Sequence, residues 1–191
     1  MDDLRTAVPS PSELRRAARA TLVLGGARSG KSTHAEALIA ATGAPAAVYI
    51  ATAAAGDGEM AARIAAHRAR RGPAWTTLEA PLDLPAAIGT AGGRPALVDC
   101  LTLWVSNLMH AGRDVAAAGE ALCAALASAA APVVLVSNEV GLGIVPDNAL
   151  ARAFRDEAGR LNQRVAACCA RVVFVAAGLP LTLKNEIEVP R

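Results

Sequence analysis

The chain is 191 residues long, 53% apolar but only 3% aromatic, with a formal net charge of +2. That length suits one domain with a core of small and branched aliphatics, and the scattered arginines argue against a nucleic-acid-binding face. The four cysteines, Cys100, Cys123, Cys168 and Cys169, form no C-x-x-C or zinc-type spacing, no apolar stretch reaches transmembrane length, and Met1-Asp2-Asp3 opens no signal peptide, so a reduced, soluble, cytoplasmic protein is expected.

Residues 1–20, broken by Pro9 and Pro11, read as a mobile N-terminal extension, and residues 21–191 as a single domain. The first predicted strand, Thr21–Leu24, runs into Gly25-Gly26-Ala27-Arg28-Ser29-Gly30-Lys31-Ser32, which satisfies G-x-x-x-x-G-K-[ST], the phosphate-binding loop. Its glycines let successive backbone N–H groups turn inward around an anion, and the helix that follows adds its positive dipole end. Lys31 is expected to reach the β- and γ-phosphates and the Ser32 hydroxyl to ligate Mg²⁺. Lysine is otherwise found only at Lys184, so Lys31 does not read as one surface charge among many. The helix is expected to end near Thr42, before Gly43 and Pro45.

Ala47–Ala51 reads as the second strand, ending at Thr52, followed by a loop from Ala53 to Gly58. A helix over Glu59–Arg71 puts Met60, Ile64, His67 and Arg71 on one face, with Arg63 one turn before His67. Trp75–Glu79 reads as a short strand, Leu82–Ile88 as a short helix and Gly89–Pro95 as a loop. The strand Ala96–Cys100 carries Asp99 near its carboxyl end, a position that either helps hold Mg²⁺ or caps the next helix. Helices are predicted over Leu101–His110 and Val115–Ala130, then a buried strand Pro132–Ser137 ending at Asn138-Glu139, a pair that either touches nucleotide or metal or closes a turn. A loop, Gly141–Pro146, precedes a long helix capped by Asp147 or Asn148 and reaching about Ala170, with Cys168 and Cys169 adjacent in it as small hydrophobes. Arg171–Ala176 is the last central strand and Leu179–Lys184 an edge strand.

Apolar strands alternating with helices predict an α/β fold with a mainly parallel sheet covered by helices on both faces. Ligands in such sheets bind beyond the carboxyl ends of the strands, where Gly25–Ser32, Thr52, Asp99 and Asn138-Glu139 all fall.

These residues resemble the bifunctional adenosylcobinamide kinase / adenosylcobinamide-phosphate guanylyltransferase family of cobalamin biosynthesis. The resemblance is carried by the phosphate loop, by Tyr49-Ile50-Ala51-Thr52 with Glu59–Ile64 and His67-Arg68, by Asp99-Cys100-Leu101-Thr102 with Asn107-Leu108, and by Val136–Pro146 with Gly159-Arg160-Leu161-Asn162-Gln163. It covers nearly all of Thr21 to Lys184 and implies a single-domain P-loop NTPase fold of the RecA-like kind. It also implies two reactions: phosphorylation of adenosylcobinamide by ATP or GTP, then transfer of GMP from GTP onto that phosphate, with Mg²⁺ as cofactor.

The resemblance further implies a guanylylated histidine at His67. Relatives with two adjacent histidines have their pair replaced here by Ala66 and His67, which leaves one candidate. A neutral imidazole is a competent nucleophile near pH 7, so the chemistry is sound in itself. Arg63 or Arg68 is a candidate phosphate contact, Arg28 either contacts phosphate or lies in solvent, and Glu79 matches a glutamate near the guanine nucleotide or is a solvated strand end. His34 and His110 carry no such expectation. A homotrimer is implied by the resemblance alone. A single-activity P-loop kinase of a small metabolite, or a nucleotide-dependent switch ATPase, would share the loop without a covalent nucleotide on His67.

Overall fold

The structure, a computed structural model, describes residues 20–53 and 72–186. The N-terminal extension before Ala20 and the helix expected over Glu59–Arg71, with Arg63, His67 and Arg68, lie outside the described residues.

The strands are β1 (Ala20–Gly25), β2 (Ala47–Ala51), β3 (Trp75–Glu79), β4 (Ala96–Asp99), β5 (Val133–Asn138), β6 (Arg171–Ala176) and β7 (Leu179–Asn185). The helices among the described residues are α1 (Lys31–Ala40), α2 (Leu84–Thr90), α3 (Leu101–His110), α4 (Val115–Ser128) and α5 (Ala149–Cys168). The seven strands among the described residues join one sheet in the order β3-β2-β4-β5-β1-β6-β7. β1 to β6 run parallel and β7 pairs antiparallel with β6.

Strand side chains alternate between two apolar layers. Leu22, Leu24, Ile50, Val98 and Leu135 face α2 to α5, meeting Leu84, Trp104, Leu122 and Leu161. Val23, Leu97, Val134, Val136 and Val173 face the other way, meeting Ala35 and Ile39 of α1. A strand buried on both faces must be apolar at every position, which is why the central strands are unbroken aliphatic runs. Each such side chain contributes about 1.5–3 kcal/mol by burial. Trp104 is fully buried, and its indole N–H donates to the Leu82 carbonyl at 2.8 Å, so its one polar atom is satisfied.

Several ends differ from the sequence expectation. β1 takes in Ala20 and Gly25, and β5 reaches Asn138. α1 stops at Ala40, where the Thr42 hydroxyl turns back to the Ile39 carbonyl at 2.7 Å. α2 starts at Leu84 behind Asp83, with Pro85 in its first turn, and runs through Gly89 to Thr90; Leu82 lies before it. α4 ends at Ser128 because Ala129 is extended, and α5 ends at Cys168 because Cys169 is extended. Asp114 caps α4 through the amides of Ala116 and Ala117 at 2.7 and 3.1 Å, and Asn148 caps α5 through Ala151.

The cysteines do not form one class. Cys100 and Cys169 are buried, as small hydrophobes should be, whereas the free thiols of Cys123 and Cys168 are half-buried and share a hydrogen bond between α4 and α5. Burial, with the Asp99 charge, pushes the Cys100 thiol up to about 11, and burial takes Cys169 up to about 12. The bond from Cys123, helped by the charges of Lys184 and Arg164, lowers Cys168 to about 7 and correspondingly raises Cys123. A lowered thiol pKa puts the thiolate above that value, so alkylation of Cys168 should rise through about pH 7 and level off by about pH 8. Peptide mapping after brief iodoacetamide treatment of the folded protein should find Cys168 labelled first and Cys100 and Cys169 only after denaturation. Equal early labelling of Cys100 would contradict this packing.

Candidate active site

The phosphate loop leaves β1 at a close approach to β6. A Cβ on Gly25 would lie 2.5 Å from the Val175 carbonyl oxygen and 2.6 Å from Ser29 Oγ, so only glycine fits. Gly30 has φ +93° and opens α1 with no side-chain cap, which leaves the first-turn amides of that helix for an anion. The loop is held from within by the Ser29 amide on the Gly26 carbonyl at 3.3 Å. From the β6–β7 turn the Gly178 amide donates to the Ser29 carbonyl at 2.9 Å. Ser29 Oγ is buried with no hydrogen-bond partner. The Lys31 ammonium arches over the loop to the Gly26 carbonyl at 3.0 Å and is near enough to β4 for its charge to act on the Cys100 thiol. Gly26, Ala27 and Arg28 are exposed at the loop's crest, and Ser32 is half-buried one residue into α1.

Parallel register brings the other strand ends to the same level. Gly25 pairs with Asn138 of β5 and Val175 of β6, while Ala51 pairs with both Glu79 of β3 and Asp99 of β4. Asp99 accepts a hydrogen bond from the buried Tyr49 hydroxyl at 3.1 Å, and Tyr49 is in turn wedged edge-on against Trp75. Asp99 does not cap the following helix, since Cys100 occupies that position. Thr52 is fully buried; its hydroxyl donates to the Cys100 carbonyl at 2.7 Å and accepts from the Cys100 amide at 2.8 Å. It therefore clamps the end of β2 to the β4–α3 junction.

Asn138 is held by its main chain: its amide donates to Thr102 Oγ1 at 2.7 Å and its carbonyl accepts from Asn162 Nδ2 at 3.3 Å. The Glu139 amide reaches the Gly25 carbonyl at 3.2 Å, and its carboxylate accepts the Gly141 amide at 2.7 Å. Glu79 stands at the far edge of the rim, beside a cleft of about 360 Å³ whose lining includes Leu78, Pro81, Leu82 and Ala86. Four strand steps separate β3 from β1, a lateral distance of about 19 Å at about 4.8 Å per strand. His34 is half-buried on α1, its pKa lowered by burial and by the Arg171 charge, and His110 bonds the Ser106 carbonyl at 2.7 Å. Neither belongs to the rim.

Residues 21–183 match the model of the cobinamide kinase / cobinamide phosphate guanyltransferase family. The chain belongs to this family. It is 53% identical over 169 residues to the bifunctional adenosylcobalamin biosynthesis protein CobP of Pseudomonas aeruginosa, covering 86% of this chain and 97% of that protein. It is 47% identical over 180 residues to the bifunctional adenosylcobalamin biosynthesis protein CobU of Salmonella typhimurium, covering 85% of this chain and 98% of the relative. Among solved structures, the flagellar accessory protein FlaH of Methanocaldococcus jannaschii superposes with a TM-score of 0.52 at 9% identity, covering 88% of this chain and 79% of that one. That likeness concerns the fold alone, an α/β architecture with a mainly parallel sheet.

For a member of this family, the structure brings the loop residues Gly25–Ser32, Thr52, Asp99 and Glu79 to one rim. It also shows residues that motif reading does not single out as site builders. Tyr49 orients Asp99, Thr102 holds Asn138, and Asn107 Nδ2 donates to the Thr52 and Pro81 carbonyls at 2.7 and 3.0 Å. Their only sequence signal is membership of the blocks that carry the resemblance.

The Gly25 contacts generate a direct test. Gly25→Ala must displace both the Val175 carbonyl and the Ser29 side chain, so it should cost about 1–3 kcal/mol of stability as overpacking and weaken nucleotide binding at least about tenfold. Gly26→Ala, whose added Cβ meets nothing within 4 Å, should leave thermal stability unchanged. Thermal melts and calorimetric titration with GTP check both, and equal stability losses in the two variants would count against the loop packing.

Proposed function

We propose that this chain carries out both reactions on one rim: it phosphorylates adenosylcobinamide, then transfers GMP from GTP onto the resulting phosphate to give adenosylcobinamide-GDP and pyrophosphate. The observation that carries this is the family match over residues 21–183, joined to an intact phosphate loop set level with Asn138 of β5, the strand that separates β1 from β4. In the kinase step the substrate hydroxyl oxygen bonds the γ-phosphorus, the bridge to the β-phosphate breaks, and the hydroxyl proton is released. The loop amides, the α1 N-terminus and the Lys31 ammonium stabilise the charge that spreads over the transferring group.

In the second reaction His67 attacks the α-phosphorus of GTP, pyrophosphate leaves, and the substrate's phosphate oxygen then displaces the imidazole, so one difficult displacement becomes two. Arg68, with Arg63 and Arg28, supplies further positive charge to the phosphates. A nucleotide laid from the loop over β1 toward β3 places its base near Glu79, whose carboxylate is suited to the two adjacent N–H donors of guanine. Thr52 serves this rim by fixing the junction that carries Asp99.

The hydroxyl of Ser32 and the carboxylate of Asp99 are hard oxygen donors that fit Mg²⁺. Mg²⁺ bound with phosphates commonly takes one or two protein ligands and fills its other positions with phosphate and water. When bound, Mg²⁺ neutralises phosphate charge. We further propose a cytoplasmic homotrimer. No helix among the described residues is long and apolar enough to cross a membrane. The edge strand β7 exposes Leu179, Leu181 and Leu183, an apolar edge suited to a second copy of the chain.

Incubation with adenosylcobinamide, ATP and Mg²⁺ should yield the phosphate, and addition of GTP should convert it to adenosylcobinamide-GDP with release of pyrophosphate, as resolved by chromatography. Lys31→Ala and Asp99→Asn should each lower both rates by about a hundredfold or more. Phosphate as the sole product, with GTP left intact, would favour the single-activity kinase.

A further inference from the structure

The loop from Val140 to Pro146 contains no charged residue and leaves large apolar side chains in the open: Leu142 is 81% exposed, Ile144 97% and Val145 62%, with Leu150 of α5 at 64%. Scattered exposed aliphatics are ordinary, but four within nine residues make a patch. The patch is braced. At its start the Gly141 amide is held by the Glu139 carboxylate at 2.7 Å, and at its end Arg152 donates to the Pro146 and Asp147 carbonyls at 2.9 and 2.7 Å. These bonds fix the main chain while leaving the aliphatic groups facing solvent, which lowers the ordering cost of binding a ligand there.

The patch is also continuous with the nucleotide site. Glu139, the residue before it, bonds the Gly25 carbonyl at 3.2 Å, so the loop springs from the edge of the phosphate loop. We propose that Leu142, Ile144, Val145 and Leu150 form the seat of the corrin ring of adenosylcobinamide, an inference that rests on the function proposed above. The acceptor must present its side-chain hydroxyl to the γ-phosphate while the bulk of a broad macrocycle, whose ring carbons and methyl groups offer apolar surface between its amide side chains, lies elsewhere. A rigid, uncharged apolar ledge beside the phosphate loop meets that need, whereas it offers an anionic nucleotide no cation. The β7 leucines lie on an edge strand outside this loop.

The test uses the full-length protein with Ile144→Ser, the double variant Leu142→Ser/Ile144→Ser, and Ile144→Leu. The KM for adenosylcobinamide in the kinase reaction should rise about tenfold in the first and further in the second, and stay near wild type in the third. GTP affinity by calorimetry should remain within about twofold, and the molar mass by light scattering should not change. An unchanged corrinoid KM in the double variant would overturn the inference, as would a changed molar mass, which would make the ledge a contact between copies. Wild-type protein that does not turn over the corrinoid at all would overturn the underlying function together with this inference, and is told apart because the failure then precedes any substitution.

Discussion

Gly25 is the point on which the site depends. Its Cα lies against the Val175 carbonyl and the Ser29 side chain at distances that leave no space for a methyl group. That contact presses the start of the phosphate loop onto β6 while β5 grips Gly25 from the other side in register with Asn138. The loop is therefore a continuation of the sheet rather than a mobile connection, and the amides that face an anion are set before the anion arrives. Such preorganisation is what makes backbone dipoles effective in phosphoryl transfer.

From that fixed point the rim is assembled by polar groups that serve one another. Thr52 ties the end of β2 to Cys100, Asn107 ties Thr52 to Pro81, Tyr49 holds Asp99, and Thr102 with Asn162 holds Asn138. The groups that meet substrate in the proposed chemistry are few, and most of the polar side chains at the strand ends act through their neighbours. A buried polar group left without its partner costs about 1–3 kcal/mol, so each of these bonds constrains the rim as well as stabilising it.

What could be read in the sequence divides along the same line. The strands were legible because a parallel sheet buried on both faces demands unbroken aliphatic runs, and the phosphate loop because its glycines answer to backbone geometry alone. The Ala-rich helix ends were not: Ala41, Ala129 and Ala170 continue a helical composition past the point where the backbone turns away. Nor were the roles of Thr52, Thr102 and Asn107, whose partners lie 48, 36 and 55 residues away along the chain, a relation that no local pattern encodes. The Cys123–Cys168 pair was missed for the same reason. Leu142 and Ile144 read simply as loop residues, because exposure is a property of the fold and not of composition.

In the proposed chemistry the chain makes and breaks a covalent bond to GMP through His67. Incubation of wild type and His67→Ala with Mg²⁺ and GTP labelled at the α-phosphate, followed by denaturation and treatment with acid or base, tests it most directly. Wild type should carry label that acid removes and base does not, as a phosphoramidate requires, and His67→Ala none. Wild-type protein that binds GTP yet takes up no label, or a His67→Ala protein labelled to the same extent, would contradict it.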